Sequence, residues 1–220
     1  MPLTAQGLVA ELEAAADPAA HPNRHYRGAA RVMGVRMGTV FDIAKAFAAL
    51  PLDEVGRLLD EEPYEARLAA FCVLDFAVRS PRMADADREQ RFRLYLDRHD
   101  RIDSWDMVDR AAPRVVGGFL KGRPRDDLFD LAASPDPLRR RTAMTAPLAY
   151  TRPPDLDGIE DLLRIAELLA GDSDPLVSKP VGIALKHAGA AGPDLVRAFL
   201  ERMGERLPAP VRREARAKLS

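Results

Sequence analysis

Apolar residues recur along this chain at the three- and four-residue spacing of amphipathic helices. The runs LAAFCVLDFAV at 68–78 and DLLRIAELLA at 161–170 both follow that spacing. The run PDLVRAFLERMGE at 193–205 begins with proline and keeps Leu195 and Phe199 four residues apart. Alternating runs of β-branched and aromatic residues, which would indicate strands, are not sustained. The pattern predicts an all-α fold.

Prolines recur along the chain with a basic residue four positions later. These pairs are Pro63 with Arg67, Pro137 with Arg141, Pro175 with Lys179, and Pro208 with Arg212. The prolines are 74, 38 and 33 residues apart, and 74 equals two periods of 37, so another helix is expected to start just before Trp105. Proline is well tolerated in a first helical turn, because its missing N–H would be unpaired there anyway. The spacing predicts a series of helices with acidic or proline-containing starts.

A period somewhat under 40 residues with two helices per unit is close to that of HEAT-type repeats. We therefore expect a right-handed α-solenoid, in which apolar faces bury against neighbouring repeats and aligned bases line one concave basic face. It would form a single domain over residues 1–220, with N-terminal helices at about 1–60 and repeats at about 61–220. The alternative is that Asp-Pro is only a common helix start.

Composition narrows the class of protein. Hydrophobic residues make up 47% of the chain and aromatic residues only 6%, a balance that suits closely packed helices. The 33 basic and 34 acidic residues give a net charge of −1, so a strongly basic nucleic-acid binder is not indicated, although a local basic face can still bind phosphates. The single Cys72 excludes an internal disulfide and fits a reducing compartment. With no signal-peptide pattern and no apolar run of about 18 residues, we expect a cytoplasmic protein without a membrane segment.

The only tryptophan, Trp105, precedes Asp109 by four residues. In a helix the two side chains would stand one turn apart on the same face. An indole plane beside a carboxylate can hold a cationic aromatic group such as a damaged DNA base. The alternative is that Trp105 packs in the core and that Asp109 pairs with Arg110 or Arg114.

Other familiar site types are not indicated. The chain has no GxxxxGK[ST] phosphate loop and no GxGxxG fingerprint. His21 and His25 have a spacing compatible with metal binding, but no carboxylate or thiol cluster joins them. Cys72 lies in an apolar run and is interpreted as a small buried hydrophobic residue, and His187 as a residue that interacts with a helix end.

The segment RIDSWDMVDRAAPRVVGGFL at 101–120 resembles the active-site segment of the AlkD-type DNA alkylation repair glycosylases. Other segments are similar to that family in the same order along the chain: MGVRMGTVFDIAK, EEPYEARLAAFCVLD, DPLRRRTAM, DPLVSKPVGIALKH and APVRREARAKL. The likeness covers most of the chain and implies a HEAT-like fold that acts on alkylated duplex DNA. It also implies an open concavity that catches the lesion without an enclosing base pocket, and no metal or organic cofactor.

The resemblance implies roles for individual residues. Trp105 and Asp109 match the family's active-site aromatic residue and catalytic carboxylate. Arg141 matches the arginine that holds the DNA backbone at the lesion, and Lys186 falls where a second phosphate-contacting base lies. The further bases expected to contact DNA are Arg140, Lys179, Arg212 and Arg213.

The N-terminal aromatic contact and two departures from the family pattern also bear on the expected site. Tyr26, or His25 beside it, lies near the family's N-terminal aromatic contact. Ile183 stands where the family has a second tryptophan, and Gly38 stands where its entry segment has a proline. Loss of the second aromatic wall removes a cation–π partner worth about 1 kcal/mol or more when desolvated.

The function expected from the resemblance is that of a monomeric, monofunctional glycosylase, associated with the nucleoid when bound to DNA. It would excise cationic bases of the 3-methyladenine or 7-methylguanine type from duplex DNA. One alternative is a relative that binds DNA structure without cutting, which the Ile183 change permits. The other is a helical-repeat scaffold for a protein partner, for which the near-neutral charge is an argument.

Overall fold

The computed structural model of the protein describes residues 3–219, and their regular structure is helical apart from one isolated β-bridge between Thr151 and Pro154. The all-α prediction is confirmed. Contacts group the chain into two compact units, of which the first ends at Ala111. The first unit contains a 3-10 turn at His99–Arg101 and helices α1 (Ala5–Ala14), α2 (Met37–Ala46), α3 (Leu52–Asp60), α4 (Tyr64–Val78), α5 (Asp85–Asp97) and α6 (Trp105–Ala111).

The second unit begins at Ala112. Its first element is a π-helical segment at Ala112–Gly117, and two 3-10 turns lie at Ala146–Tyr150 and Gly204–Arg206. Its helices are α7 (Gly118–Leu120), α8 (Asp126–Ala132), α9 (Pro137–Thr145), α10 (Leu156–Leu168), α11 (Pro175–Ala191), α12 (Pro193–Met203) and α13 (Ala209–Arg216).

The helix starts expected from proline spacing are present. Helices α4 and α13 begin directly after Pro63 and Pro208, α9 and α11 begin at Pro137 and Pro175, and α6 begins at Trp105. The carboxylates of Asp136 and Asp174 accept the backbone N–H groups of Leu138 and Leu176 at 2.8 and 2.9 Å. Such a cap stabilises a helix by about 1 kcal/mol. The predicted helix starts are confirmed, whereas the solenoid course with its concave face stays a prediction.

Helix α4 forms the interior of the first unit, where it packs against α2, α3 and α6. Every residue of α4 except Phe76 is buried, as expected of a helix that is apolar nearly all round. The buried Glu65 accepts backbone N–H groups of Met33 at 2.8 Å and Gly34 at 2.9 Å. Helix α4 therefore fixes both the segment that precedes α2 and the helix that carries Trp105.

The recurring bases do not all lie on a surface. Arg67 and Arg141 are each only 6% exposed, so these two side chains contribute little to the surface of the protein. Arg67 donates to the carbonyl of Glu62 at 2.5 Å, and Arg141 donates to the carbonyl of Leu176 at 2.9 Å. A guanidinium has five N–H donors and can satisfy carbonyls that a helix leaves unpaired, such as that of Leu176, whose donor within the helix would be Pro180, which has no N–H. The two arginines are buried because they donate these hydrogen bonds to backbone carbonyls.

In the second unit, Gly117 allows a close approach between two elements. A Cβ at this position would lie 1.9 Å from the carbonyl oxygen of Ala146, so no side chain fits. The π-helical segment can thus pack directly on the 3-10 turn at Ala146–Tyr150. Within the same unit, α11 packs against α9 and α13. None of the helices in residues 3–219 combines the length and apolar character needed to cross a membrane.

Candidate functional site

Helix α6 presents Trp105 and Asp109 on the surface of the first unit. Trp105 is the first residue of the helix and is 42% exposed, and Asp109, four residues later, is also exposed. Four residues is one helical turn, so both side chains emerge from the same face. The alternative in which Trp105 is a core residue is wrong, because a core tryptophan would not retain this exposure.

The opposite face of α6 explains why this pair is exposed. Met107, Val108 and Ala111 are fully buried, and α6 packs against α4 through this apolar side. Burial of such a stripe fixes which face of a short helix remains in solvent. Trp105 and Asp109 are displayed because their neighbours at other helical angles occupy the core.

Arg110 has a partner other than the neighbouring carboxylate that sequence reasoning considered. Its Nε lies 3.1 Å from Oδ2 of Asp75, a fully buried residue of α4, and Arg79 contacts the same oxygen at 2.5 Å. The Arg110 guanidinium also lies over the rings of Phe41 and Phe76, at 4.3 and 4.6 Å from their centroids. This ion pair links α4 to α6 beside the exposed pair.

Two carboxylates flank Trp105 in sequence, and each accepts a hydrogen bond from a tyrosine. Tyr64 donates its hydroxyl proton to Asp106, and Tyr26 donates its hydroxyl proton to Asp103. Burial is the largest cause that raises the pKa of both phenols, and the adjacent carboxylates raise these pKa values further. Both tyrosines therefore remain protonated donors at neutral pH.

Tyr26, which is expected to contact DNA, is buried in the structure. The residue is only 9% exposed, and its hydroxyl also accepts the backbone N–H of Ala30 at 3.2 Å. The neighbouring His25 is exposed. The DNA contact of Tyr26 stays a prediction, and the hydrogen bonds that it makes are within the protein.

In the second unit, the adjacent arginines of α9 both bind protein groups. Arg140 pairs with Asp172 at 2.7 Å and donates to the carbonyls of Ser134 and Pro135 at 2.9 and 2.8 Å. Arg141 is the buried arginine bound to the carbonyl of Leu176. Their role in holding the DNA backbone stays a prediction.

Two other predicted DNA-binding bases are also bound within the second unit. Lys186 forms an ion pair with Glu214 at 2.8 Å, and Arg212 donates to the carbonyl of Leu207 at 2.7 Å. Both side chains are half-buried. An ion pair of this exposure contributes little to stability, so Lys186 can exchange Glu214 for a phosphate at small cost.

Lys179, Ile183 and Arg213 lie together on an exposed groove between α11 and α13. The groove encloses about 310 Å³, and all three residues are exposed. Ile183 is 40% exposed and adds an apolar surface to a groove that contains these two bases and the half-buried Glu214. Hereafter these three residues are called the basic groove.

Among the described residues, the cysteine and the two N-terminal histidines do not form a metal site or a reactive thiol site. Cys72 is fully buried, and burial raises the pKa of its thiol to about 12, as expected of an inert core cysteine. His21 and His25 line a cavity of about 260 Å³ together with Tyr64. Within residues 3–219, no group of three His, Cys, Asp or Glu side chains is arranged to hold a metal ion.

Sequence reasoning missed the groups that support α6. Asp75 was not singled out, although an acidic residue inside the apolar run at 68–78 must be paired if the helix is buried. That signal could have revealed the ion pair with Arg110. Tyr64 and Asp106 carry no comparable signal, because their hydrogen bond joins residues that are 42 positions apart.

The structure thus combines an exposed aromatic and carboxylate pair in one unit with a basic groove in the other. An exposed aromatic residue beside a carboxylate can contact a cationic group, and exposed bases can contact phosphates. The sequence model of the DNA alkylation repair enzyme family matches residues 8–219, and the chain belongs to that family. Membership gives it a role in the repair of alkylation damage, with DNA as the substrate.

The fold is shared with a solved structure described as a predicted DNA alkylation repair enzyme from Enterococcus faecalis. The two chains superpose with a TM-score of 0.64, over 100% of this chain and 96% of the other, at 14% sequence identity. At this identity the likeness shows the fold alone. No protein of curated function matches the sequence.

Proposed function

We propose that this protein is a monofunctional DNA glycosylase that excises cationic alkylated bases, of the 3-methyladenine or 7-methylguanine type, from duplex DNA. The observation that carries the proposal is the exposed Trp105–Asp109 pair on α6 in a member of the DNA alkylation repair family. The protein acts as a cytoplasmic monomer without a metal or organic cofactor.

Alkylation at N3 of adenine or N7 of guanine makes the base cationic and therefore a better leaving group. When the bond from C1′ to the base nitrogen breaks, its electron pair stays with the base, which departs neutral. Positive charge then develops on the deoxyribose, as in the oxocarbenium-like transition state of glycoside hydrolysis. Water adds to C1′ and loses a proton, which leaves an abasic site.

Asp109 is the group suited to this transition state. A fixed carboxylate stabilises the developing positive charge more strongly in the transition state than in the ground state, which is the requirement for catalysis. The same oxygen atoms can orient the attacking water. Trp105, on the same helix face, offers an indole plane to the cationic nucleotide, a contact worth about 1 kcal/mol or more when desolvated.

The basic groove provides a surface for the DNA backbone. Lys179 and Arg213 can contact phosphates, which set the position of the duplex without reading its sequence. Ile183 in the same groove offers an apolar contact to a sugar or an exposed base face.

Ile183 also supports a second candidate function, a relative that binds DNA structure without cutting it. The residue is exposed where the resemblance implies an aromatic wall, so a lesion-binding contact is absent there. In this case the protein would bind duplex DNA and leave the glycosidic bond intact.

Base release distinguishes the two candidates. The protein is incubated with methylated duplex DNA, and released 3-methyladenine and 7-methylguanine are separated by chromatography. We expect release of at least one of these bases. Duplex affinity that falls steeply with salt concentration, with no base released, would refute the glycosylase and support the non-catalytic binder. Absence of salt-dependent duplex binding would refute both.

A further inference from the structure

Two tyrosines converge on the start of α6. The rings of Tyr26 and Tyr64 lie against each other, with their centroids 4.4 Å apart and their planes inclined by 37°. Tyr64 is 1% exposed and Tyr26 is 9% exposed. Tyr26 donates to Asp103 and Tyr64 donates to Asp106, so the two phenols hold carboxylates on both sides of Trp105 in sequence.

Each carboxylate has a second contact that fixes its orientation. Arg67 pairs with Asp103 at 2.5 Å and reaches the Tyr26 hydroxyl at 3.4 Å. Asp106 accepts the backbone N–H of Met107 at 3.0 Å through its other oxygen. The segment that leads into α6 and the first turn of the helix are therefore tied to buried groups that begin α4 or lie near it.

We propose that Tyr26 and Tyr64 are positioning residues, which hold the start of α6 so that Trp105 and Asp109 keep one orientation. Trp105 is 42% exposed and is not fixed by full burial of its own side chain. The body of α6 is held by its buried face on α4, and its first turn is held in addition by these two phenols through Asp103 and Asp106. The consequence for excision rests on the proposed glycosylase function, whereas the consequence for the mobility of Trp105 does not.

The geometry of a reacting pair is sensitive to such anchors. A displacement of about 1 Å at the reacting groups can cost on the order of 10²-fold in rate. Loss of the two hydroxyls leaves both rings in place, so the core keeps its packing while the hydrogen bonds to Asp103 and Asp106 are removed. We expect a looser helix start in a folded protein.

The indole itself provides the test, because Trp105 is the only tryptophan in the chain. Fluorescence anisotropy and acrylamide quenching, excited where tyrosine does not absorb, are measured for the wild type and for the Tyr26→Phe/Tyr64→Phe double variant. We expect lower anisotropy and stronger quenching in the double variant. The matched control is Tyr150→Phe, which removes a buried phenol hydroxyl from the second unit and leaves the α6 anchors intact.

Excision is measured in the same proteins under single-turnover conditions. We expect the double variant to lose about ten- to a hundredfold in rate. Tyr64→Phe alone, which leaves the predicted DNA contact of Tyr26 intact, should also lose rate while its duplex affinity is retained, because phosphate contacts dominate affinity. Asp106 provides a rescue test: Asp106→Asn keeps an acceptor for Tyr64 and should resemble the wild type, whereas Asp106→Ala should reproduce Tyr64→Phe.

The possible outcomes separate the two proposals. Unchanged anisotropy and quenching in the double variant would overturn the positioning role. A changed fluorescence signal with a wild-type excision rate would show that the anchors do not serve catalysis, and would overturn it too. If the wild type releases no base, the proposed function fails, and the fluorescence measurements alone decide whether the tyrosines hold α6.

Discussion

Asp75 connects the core of the first unit to the candidate site, and its removal gives a quantitative test of that connection. The residue is fully buried and bound by Arg79 at 2.5 Å and by Arg110 at 3.1 Å. Asp75→Asn keeps the shape of the side chain and removes its charge. Two guanidinium groups then lose their counter-charge beside the rings of Phe41 and Phe76.

The expected cost follows from this burial. Removing one partner of a fully buried ion pair destabilises a protein by about 3–5 kcal/mol, but Arg79 and Arg110 keep 36% and 20% of their side chains exposed to water, so we expect a cost of about 2–3 kcal/mol. Asp60 provides the matched control, since it pairs with Arg98 but keeps 67% of its side chain exposed. Asp60→Asn removes the same charge from an exposed pair and should cost about 0–1 kcal/mol.

Urea unfolding followed by far-UV circular dichroism measures both costs. The unfolding midpoints and slopes of the wild type, Asp75→Asn and Asp60→Asn are compared in the same buffer. A loss in Asp75→Asn no larger than that in Asp60→Asn would refute the reasoning, because it would mean that the buried ion pair does not hold α4 and α6 together.

Three further predictions concern other parts of the chain. Gly117→Ala should destabilise the fold by about 1–3 kcal/mol, because the added Cβ would collide with a facing carbonyl. The control is Gly38→Ala, whose Cβ would meet nothing within 4 Å and which should be neutral or slightly stabilising. Thermal unfolding of both variants and the wild type measures the difference. Burial first, and nearby positive charges second, lower the pKa of His187 below its ordinary 6.5, so the folded state favours the neutral imidazole and stability should fall as pH drops through 6.5. Unfolding curves recorded at successive pH values should show a weaker fall for His187→Gln than for the wild type. An identical pH dependence in the two proteins would contradict the assignment. Ile183→Trp should restore an aromatic wall and tighten binding to a duplex with a cationic lesion by about 1 kcal/mol relative to undamaged duplex, as measured with fluorescently labelled DNA; equal tightening on both duplexes would exclude a cation–π contact.

Much of the helical framework could be predicted from local patterns. The prolines at 63, 137, 175 and 208 mark helix starts because the first turn needs no proline N–H, a rule that depends on a few neighbouring residues. The Trp105–Asp109 spacing likewise depends only on the helical period. The helix starts and the Trp105–Asp109 pair could be predicted from the sequence because both depend on local patterns.

Which of the basic side chains are buried could not be predicted from the sequence. Arg67 and Arg141 occupy equivalent sequence positions to Lys179, yet the two arginines are buried and the lysine is exposed. The difference depends on distant partners: Arg67 pairs with Asp103, 36 positions away, and Arg141 binds the carbonyl of Leu176 in the first turn of α11, 35 positions away. Spacing along one helix contains no information about such partners.

The contacts that hold the start of α6 could not be predicted for the same reason, because they join distant parts of the sequence. Tyr26 was predicted as a DNA contact from resemblance, and its hydrogen bond to Asp103 spans 77 positions. The stacking of Tyr26 on Tyr64 is equally non-local. A sequence shows that these side chains are able to donate hydrogen bonds, but only the packed structure shows which acceptors they reach.

The central claim is that the Asp109 carboxylate acts on the glycosidic bond of an alkylated nucleotide. Its most direct test is the single-turnover rate of base release from a duplex with one 7-methylguanine, or with the cationic base that the wild type releases best. The control is Asp97→Asn, which removes an exposed carboxylate from the same unit. We predict that Asp109→Asn lowers the rate on the order of 10²–10³-fold with duplex binding retained, while Asp97→Asn matches the wild type. Equal rates in the wild type and Asp109→Asn would contradict the account.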